Sequence, residues 1–235
     1  LSIKLPEPLY LAELISRPNR FVLECFCEVT EKKRRIYLAD PGRMPNIMVE
    51  GRKILYQPDF SNASRKTEGS AVLAKMGNKV LVSLNSHLAN KVAASALERG
   101  LIKELKGFEI KKSEYSWGNS RLDFLLQGGK KYLLEVKSVT LVEKGQACFP
   151  DAVTRRGKRH LEELMEWQKK KDNLAGVLFL ITRNDAEKFR PCENIDPEFS
   201  KTLAEAREQG VEIMVYDCKV DKKTIELNRA ITQNW

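Results

Sequence analysis

Apolar and polar positions alternate in short runs through the first third of the chain. Residues 21–29 carry strand-type alternation, a polar turn follows around Glu31-Lys32-Lys33, and residues 35–38 complete a hairpin. Pro41-Gly42-Arg43-Met44-Pro45 interrupts any regular element. The pattern predicts further strands at 53–56, 71–76 and 79–82, the last two joined by Gly77-Asn78, which tolerate positive φ. Five short strands without a long helix predict a small barrel over residues 1–85. An OB-type barrel is one option, and such barrels often bind single strands or oligonucleotides.

From about residue 86 the period lengthens. Leu88, Val92, Ala96 and Leu97 form one helical stripe over 88–101, with Gly100 where a C-cap belongs. A strand is expected near 108–110, then a hairpin of 121–126 and 131–141. A helix over 154–171 follows from the shared face of Leu161, Leu164, Met165 and Gln168. Residues 177–181 read as a buried strand, 197–209 as an amphipathic helix ended by Gly210, and 211–216 as the last central strand. This order predicts a mixed α/β sheet covered on both faces, over residues 86–235. Without a Gly/Ser linker near 84–87, the two domains should pack closely.

Composition narrows the class. The 235 residues are 42% hydrophobic, enough for a sizeable core, and their longest apolar stretch, Ala175 to Ile181, is strand-sized. The amino terminus lacks a signal peptide's apolar region, so a soluble cytoplasmic protein is expected. Five cysteines, at 25, 27, 148, 192 and 218, do not describe a disulfide framework, and Cys148 reads as a packing residue beside Phe149. Forty-one Lys and Arg against 32 Asp and Glu give a formal charge of +9. That balance favours a polyanionic partner, nucleic acid first, although solvated lysines on a mildly basic enzyme would give the same count.

The most informative stretch is Arg121-Leu122-Asp123-Phe124-Leu125-Leu126, then Gln127-Gly128-Gly129-Lys130, then Tyr132-Leu133-Leu134-Glu135-Val136-Lys137. Charged groups on apolar strands are costly unless paired. Alternation puts Arg121 and Asp123 on one face of the first strand, Glu135 and Lys137 on one face of the second, and leaves Leu122, Phe124, Leu126, Leu134 and Val136 opposite. A two-residue loop would turn Glu135 away from Asp123. A three-residue loop pairs 127 with 131, sets 123 against 135 and 121 against 137, and gathers all four charges. The second register lets the charges satisfy one another and makes a cation site of two carboxylates beside a lysine.

This D-x₁₁-E-x-K hairpin resembles the PD-(D/E)xK nuclease superfamily, with Leu122 in place of the motif's proline. The resemblance implies Asp123 and Glu135 as ligands of Mg²⁺ (or Mn²⁺) and Lys137 as a catalytic cation. Hard oxygen ligands hold such an ion without fully dehydrating it, and the lysine can stabilise developing negative charge. A salt-bridged hairpin in an ordinary α/β domain is the competing reading. Residues 149–164 (FPDAVTRRGKRHLEEL), Arg17-x-x-Arg20-Phe21, Pro41-Gly42-Arg43-Met44, Gly118-x-Ser120-Arg121-x-Asp123 and Ile195-Asp196-Pro197 are similar to the sugar fermentation stimulation protein family over nearly the whole chain. That similarity implies an OB-like amino-terminal β-barrel, a PD-(D/E)xK nuclease-like α/β domain and DNA binding, with RNA left open.

Other candidates carry two readings each. His160, beside the apolar stripe of its helix, reads as a general acid or phosphate contact, or as structural. Asp151 reads as a further ligand or phosphate-site orienter, or as a helix cap. Glu98 reads as the extra acidic residue that superfamily members often bring from their first helix, or as solvated. Arg17, Arg20, Arg43, Arg121, Arg155, Arg156 and Arg159 are candidate phosphate contacts, against a solvated face. Two functions survive: a metal-dependent deoxyribonuclease, and a non-catalytic DNA-binding regulator of sugar metabolism.

Overall fold

The computed structural model describes residues 2–59, 66–77 and 79–235. The turn assigned to Gly77-Asn78 therefore lies partly outside the described residues. Strand β1 (Ile3–Lys4) precedes β2 (Tyr10–Asn19), β3 (Val22–Cys27), β4 (Lys32–Tyr37), β5 (Lys53–Pro58), β6 (Gly69–Met76) and β7 (Val80–Ser83). The order β4-β3-β2-β5-β6 closes through a β4–β6 pairing, with β7 extending from β6. This is a five-stranded, OB-like barrel. It is filled by residues such as Leu14, Leu23, Ile36, Ile54 and Tyr56. Alternation did not foretell β2, because Glu13, Ser16, Arg17 and Pro18 break its apolar rhythm.

Helix α1 (His87–Glu98) leads into β8 (Glu109–Trp117), β9 (Ser120–Gln127) and β10 (Lys131–Val139). A short pair, β11 (Val142–Glu143) and β12 (Gln146–Phe149), precedes α2 (Arg155–Gln168), β13 (Asn173–Ile181), β14 (Lys188–Pro191), α3 (Pro197–Glu208), β15 (Glu212–Val220), β16 (Thr224–Ala230) and β17 (Thr232–Gln233). The main sheet runs β1-β16-β15-β13-β10-β9-β8, and a small one β11-β12-β14-β17. β10, β13 and β15 are mutually parallel; the flanking pairs are antiparallel. β1, at the start of the chain, is an edge strand of this sheet and not of the barrel. Beyond residue 110, β8 continues through Lys111-Lys112-Ser113-Glu114, a charged edge strand with no alternation to betray it.

Two cores cover the sheet. On one face α1 packs Leu88, Val92 and Ala96 against Phe124, Leu134, Val136 and Leu178, and the barrel adds Leu55, Val72 and Leu73 to the same cluster. The domains thus share apolar surface. On the other face α2 and α3 press Leu161, Leu164, Phe199 and Leu203 onto Leu133, Val177 and Phe179. Each such fully buried side chain contributes roughly 1.5–3 kcal/mol. Thr154 caps α2 by accepting the Gly157 N–H at 3.0 Å, and Asp196 caps α3 by accepting that of Phe199 at 3.0 Å. Asp196 also accepts the Thr154 N–H at 2.8 Å, tying the two helix starts together. A Cβ at Gly157 would lie 2.8 Å from Thr154 and 3.2 Å from Phe199, so only glycine lets the helices approach this closely.

Cys148 does more than pack. It forms a disulfide with Cys192, which lies just past β14, the parallel neighbour of β12, a pairing hidden by 44 residues of separation. Cys25, Cys27 and Cys218 are buried and free. Among the described residues no helix is long and apolar enough to cross a membrane.

Candidate active site and nucleic-acid interface

The β9–β10 hairpin pairs Gln127 with Lys131 and continues to Phe124 with Leu134. There the ladder stops, although β9 stays paired with β8 down to Ser120 and β10 stays paired with β13 up to Val139. At the split the alternation slips. Leu122 joins the core under α2, whereas Phe124 and Leu126 join the core under α1, so the three do not share the face that strict alternation assigns them.

Asp123 sits at that split. Its Oδ2 accepts the Val136 backbone N–H at 2.8 Å, taking the place of a ladder carbonyl, and its Oδ1 accepts the Asn90 amide of α1 at 2.6 Å. Burial and then the charge of Glu135 push its carboxyl up to about 7, against the pull of Val136 N–H, Asn90 and Lys137.

Glu135 is 4% exposed. Its Oε1 accepts from Lys137 Nζ at 2.5 Å and lies 2.6 Å from His160 Nδ1. Burial alone would disfavour the charge, but Lys137 and His160 overcome it and hold the carboxyl well below its ordinary range. Its Oε2 is buried without a hydrogen-bond partner.

His160 is 2% exposed on α2. Its Nε2 accepts the Arg156 Nε–H at 3.2 Å, which leaves the ring proton on Nδ1 for donation to Glu135. Both ring nitrogens are thereby committed. His160 orients Glu135 and is not free for a phosphate.

The other candidates scatter. Glu98 is exposed at the far end of α1, eight residues or about 12 Å along the axis from Asn90. Asn90 is the α1 residue that reaches the site, and no motif marked it. Arg121 pairs across to Ser116 on β8 and faces Glu114 at 3.5 Å, with both side chains largely exposed; it does not oppose Lys137, because the strands have already parted. Asp151 is not the helix cap, a place taken by Thr154. Its Oδ2 accepts the Met44 N–H of the barrel at 2.8 Å. Among the described residues no three His, Cys, Asp or Glu side chains form a group that could hold a metal ion by themselves.

Arg17 is a clamp. It donates to the carbonyls of Gly42 and Arg43 at 2.8 Å each and of Arg20 at 3.0 Å. With Asp151 it fixes the loop in which Met44 adopts φ 46°, a left-handed conformation costly for a side chain of that size. A Cβ on Gly42 would stand 3.0 Å from both Asp40 and Asp151, so glycine is what fits between these carboxylates.

This loop forms one wall of a cleft of about 800 Å³ between the domains. Arg20 and Arg43 line it from the barrel, and Phe149, Val153 and Arg156 line it from the second domain. Arg155, Arg156 and Arg159 are exposed at the start of α2, where Arg159 also reaches Ser120 at 3.1 Å.

An OB-like barrel followed by an α/β domain that carries Asp123, Glu135 and Lys137 on its β9–β10 hairpin is the class this fold defines. Family models refine it: residues 15–84 match the SfsA N-terminal OB domain, and residues 87–224 match the sugar fermentation stimulation protein RE domain. The chain belongs to the sugar fermentation stimulation protein family. It is 42% identical over 227 residues to a sugar fermentation stimulation protein homolog of Moorella thermoacetica, covering 96% of each chain. A homolog from Clostridium botulinum is 38% identical over 232 residues, covering 98% of this chain and 99% of its own. The solved structure of Pyrococcus furiosus SfsA in complex with Ca²⁺ superposes over 100% of both chains with a TM-score of 0.88 at 27% identity.

Proposed function

We propose that the chain is a divalent-metal-dependent phosphodiesterase acting on nucleic acid, DNA in the first instance. The observation that carries this reading is the buried Glu135 Oε2, left without a partner beside a second, half-buried carboxylate, Asp123. Lys137 and His160 both meet Oε1, and a buried oxygen kept bare beside a second carboxylate fits a cation ligand. Two carboxylates, with no group of three such side chains among the described residues, suit Mg²⁺ or Mn²⁺, which take one or two carboxylates and complete their shell with water and substrate oxygens. The Ca²⁺ in the Pyrococcus furiosus relative is another hard, oxygen-seeking cation.

When bound, the ion supplies Lewis acidity and neutralises charge on the phosphate under attack. The chain's own groups do the rest. Asp123 is held by Asn90 and Val136, and Glu135 by His160, so both carboxylates are fixed before any ligand arrives. Lys137 is mostly buried and holds its ammonium 2.5 Å from Glu135, where it can stabilise negative charge that develops at the acidic pair. The basic cleft beside them supplies the grip on the polyanion.

The test uses purified protein with labelled single- and double-stranded DNA in EDTA, Mg²⁺ and Mn²⁺. The expected result is cleavage in the metal arms alone, abolished in Glu135→Gln and Asp123→Asn with binding retained. Equal degradation by wild type and Glu135→Gln would sink the proposal. Tight binding without cleavage in any arm would make the chain a DNA-binding regulator.

A further inference from the structure

We infer that the interdomain cleft takes a single, unpaired nucleic-acid strand, so that single-stranded or frayed substrates are the ones delivered to Asp123 and Glu135. This rests on the phosphodiesterase reading for its endpoint, but on separate observations for its content.

The first is size. A volume of about 800 Å³ lies within the range of sites that take small ligands. A B-form duplex, whose major groove alone is about 12 Å wide, can lie across the mouth of such a cleft but is not enclosed between its walls. A strand a few nucleotides long can be.

The second is the pairing of charge with apolar surface. Arg20 and Arg43 on one wall and Arg156 on the other provide phosphate contacts from both sides. Val153, on the cleft lining, is 70% exposed, and Phe21, outside the lining but next in the chain to Arg20, is 47% exposed. Exposed apolar side chains beside arginines suit unstacked bases, whose faces a duplex hides.

The third is direction and rigidity. Arg156 lines the cleft and also donates to His160, whose other nitrogen meets Glu135, so the cleft borders the acidic pair. The Arg43 loop is locked by Arg17 and Asp151 in the left-handed turn at Met44, and its carbonyls are occupied by the Arg17 clamp. That wall is therefore built in advance of any ligand.

The experiment measures anisotropy of a labelled 20-nucleotide single-stranded DNA, the same sequence as RNA, and the corresponding blunt duplex, with the full chain in EDTA across a salt series. Either single strand is expected to bind at least about tenfold more tightly than the duplex, and the tighter of the two identifies the polymer. Arg20→Ala/Arg43→Ala should lower single-strand affinity about tenfold or more. It should also shallow the log–log salt slope by about 1.4, at 0.7 per phosphate contact. Val153→Ser, on an exposed loop where folding is not at stake, should lower affinity severalfold with the slope unchanged. Equal affinity for blunt duplex, or no effect of Arg20→Ala/Arg43→Ala, would overturn the inference. Cleavage on the same substrates separates the two proposals. Cleft-dependent single-strand binding without metal-dependent cleavage keeps this inference and removes the phosphodiesterase. Duplex cleavage indifferent to the cleft variants does the reverse.

Discussion

Strand β10 carries two polar clusters, one half-buried and one buried, that differ in what they leave unfinished. At Tyr132 the hydroxyl donates to Glu212 Oε2 at 2.8 Å, while on β15 Tyr216 donates to Glu104 at 2.8 Å. Burial pushes both hydroxyls above their ordinary values, and neighbouring glutamates add to the effect, so the tyrosines stay protonated donors. Burial likewise pushes the Glu212 carboxyl up, with Tyr132 opposing. Neutral donors answer acidic groups, and no cation is needed. Three residues on, Glu135 meets a lysine and a histidine on one oxygen and nothing on the other, with Asp123 close enough to feel its charge. A shielded acid alone does not point to a site. The unfilled oxygen, the second carboxylate and the adjoining basic cleft are what carry the proposal at Glu135.

Four experiments test that contrast. The largest effect is expected from Glu135→Gln, which should abolish cleavage and also the thermal stabilisation by Mn²⁺. A ligand at a hundred times its Kd adds about 2.7 kcal/mol to wild type, or several degrees in a chain of this size. Glu212→Gln should keep both responses, and its losing them would erase the distinction between the clusters.

Next comes Lys137→Ala. Loss of one preorganised cation should cost about 10²–10³ in kcat while much of the Mn²⁺-induced thermal shift survives. An unchanged kcat would remove Lys137 from the chemistry.

His160 acts through Glu135, so His160→Ala should cost about 10–100-fold in kcat, with metal affinity falling in parallel. His160→Gln, whose amide can still donate to Glu135, should recover part of both. Without that rescue His160 would be a packing residue.

The smallest effect belongs to the other cluster. Tyr132 passes over Gly176 to reach Glu212, and a Cβ there would stand 2.1 Å from the Tyr132 hydroxyl. Gly176→Ala should cost about 1–3 kcal/mol of stability, read as a lower denaturant midpoint, with cleavage per folded molecule unchanged. A loss of activity without loss of stability would couple the two clusters.

What sequence by itself determined is local in origin. Alternation and a three-residue loop fixed which residues of the hairpin face one another as far as Phe124 and Leu134, and brought Asp123 and Glu135 onto neighbouring strands. Helix periodicity located α1, α2 and α3 to within a few residues, because their apolar stripes repeat every 3.6 positions. Tertiary structure decided the rest. The parting of β9 from β10 sent Arg121 outward and Leu122 to the other core, an outcome of packing against two helices at once. Asn90 found Asp123 across 33 residues, Asp151 found Met44 across 107, and Cys148 found Cys192 across 44. Pairings of that range leave no periodicity behind, since each contact depends on how distant elements, or in the case of Asp151 and Met44 whole domains, pack together and not on the spacing of neighbours along the chain. Arg17 shows the same limit. As one of several arginines on a basic chain it reads as a phosphate contact, and only the loop folded against it makes it a clamp.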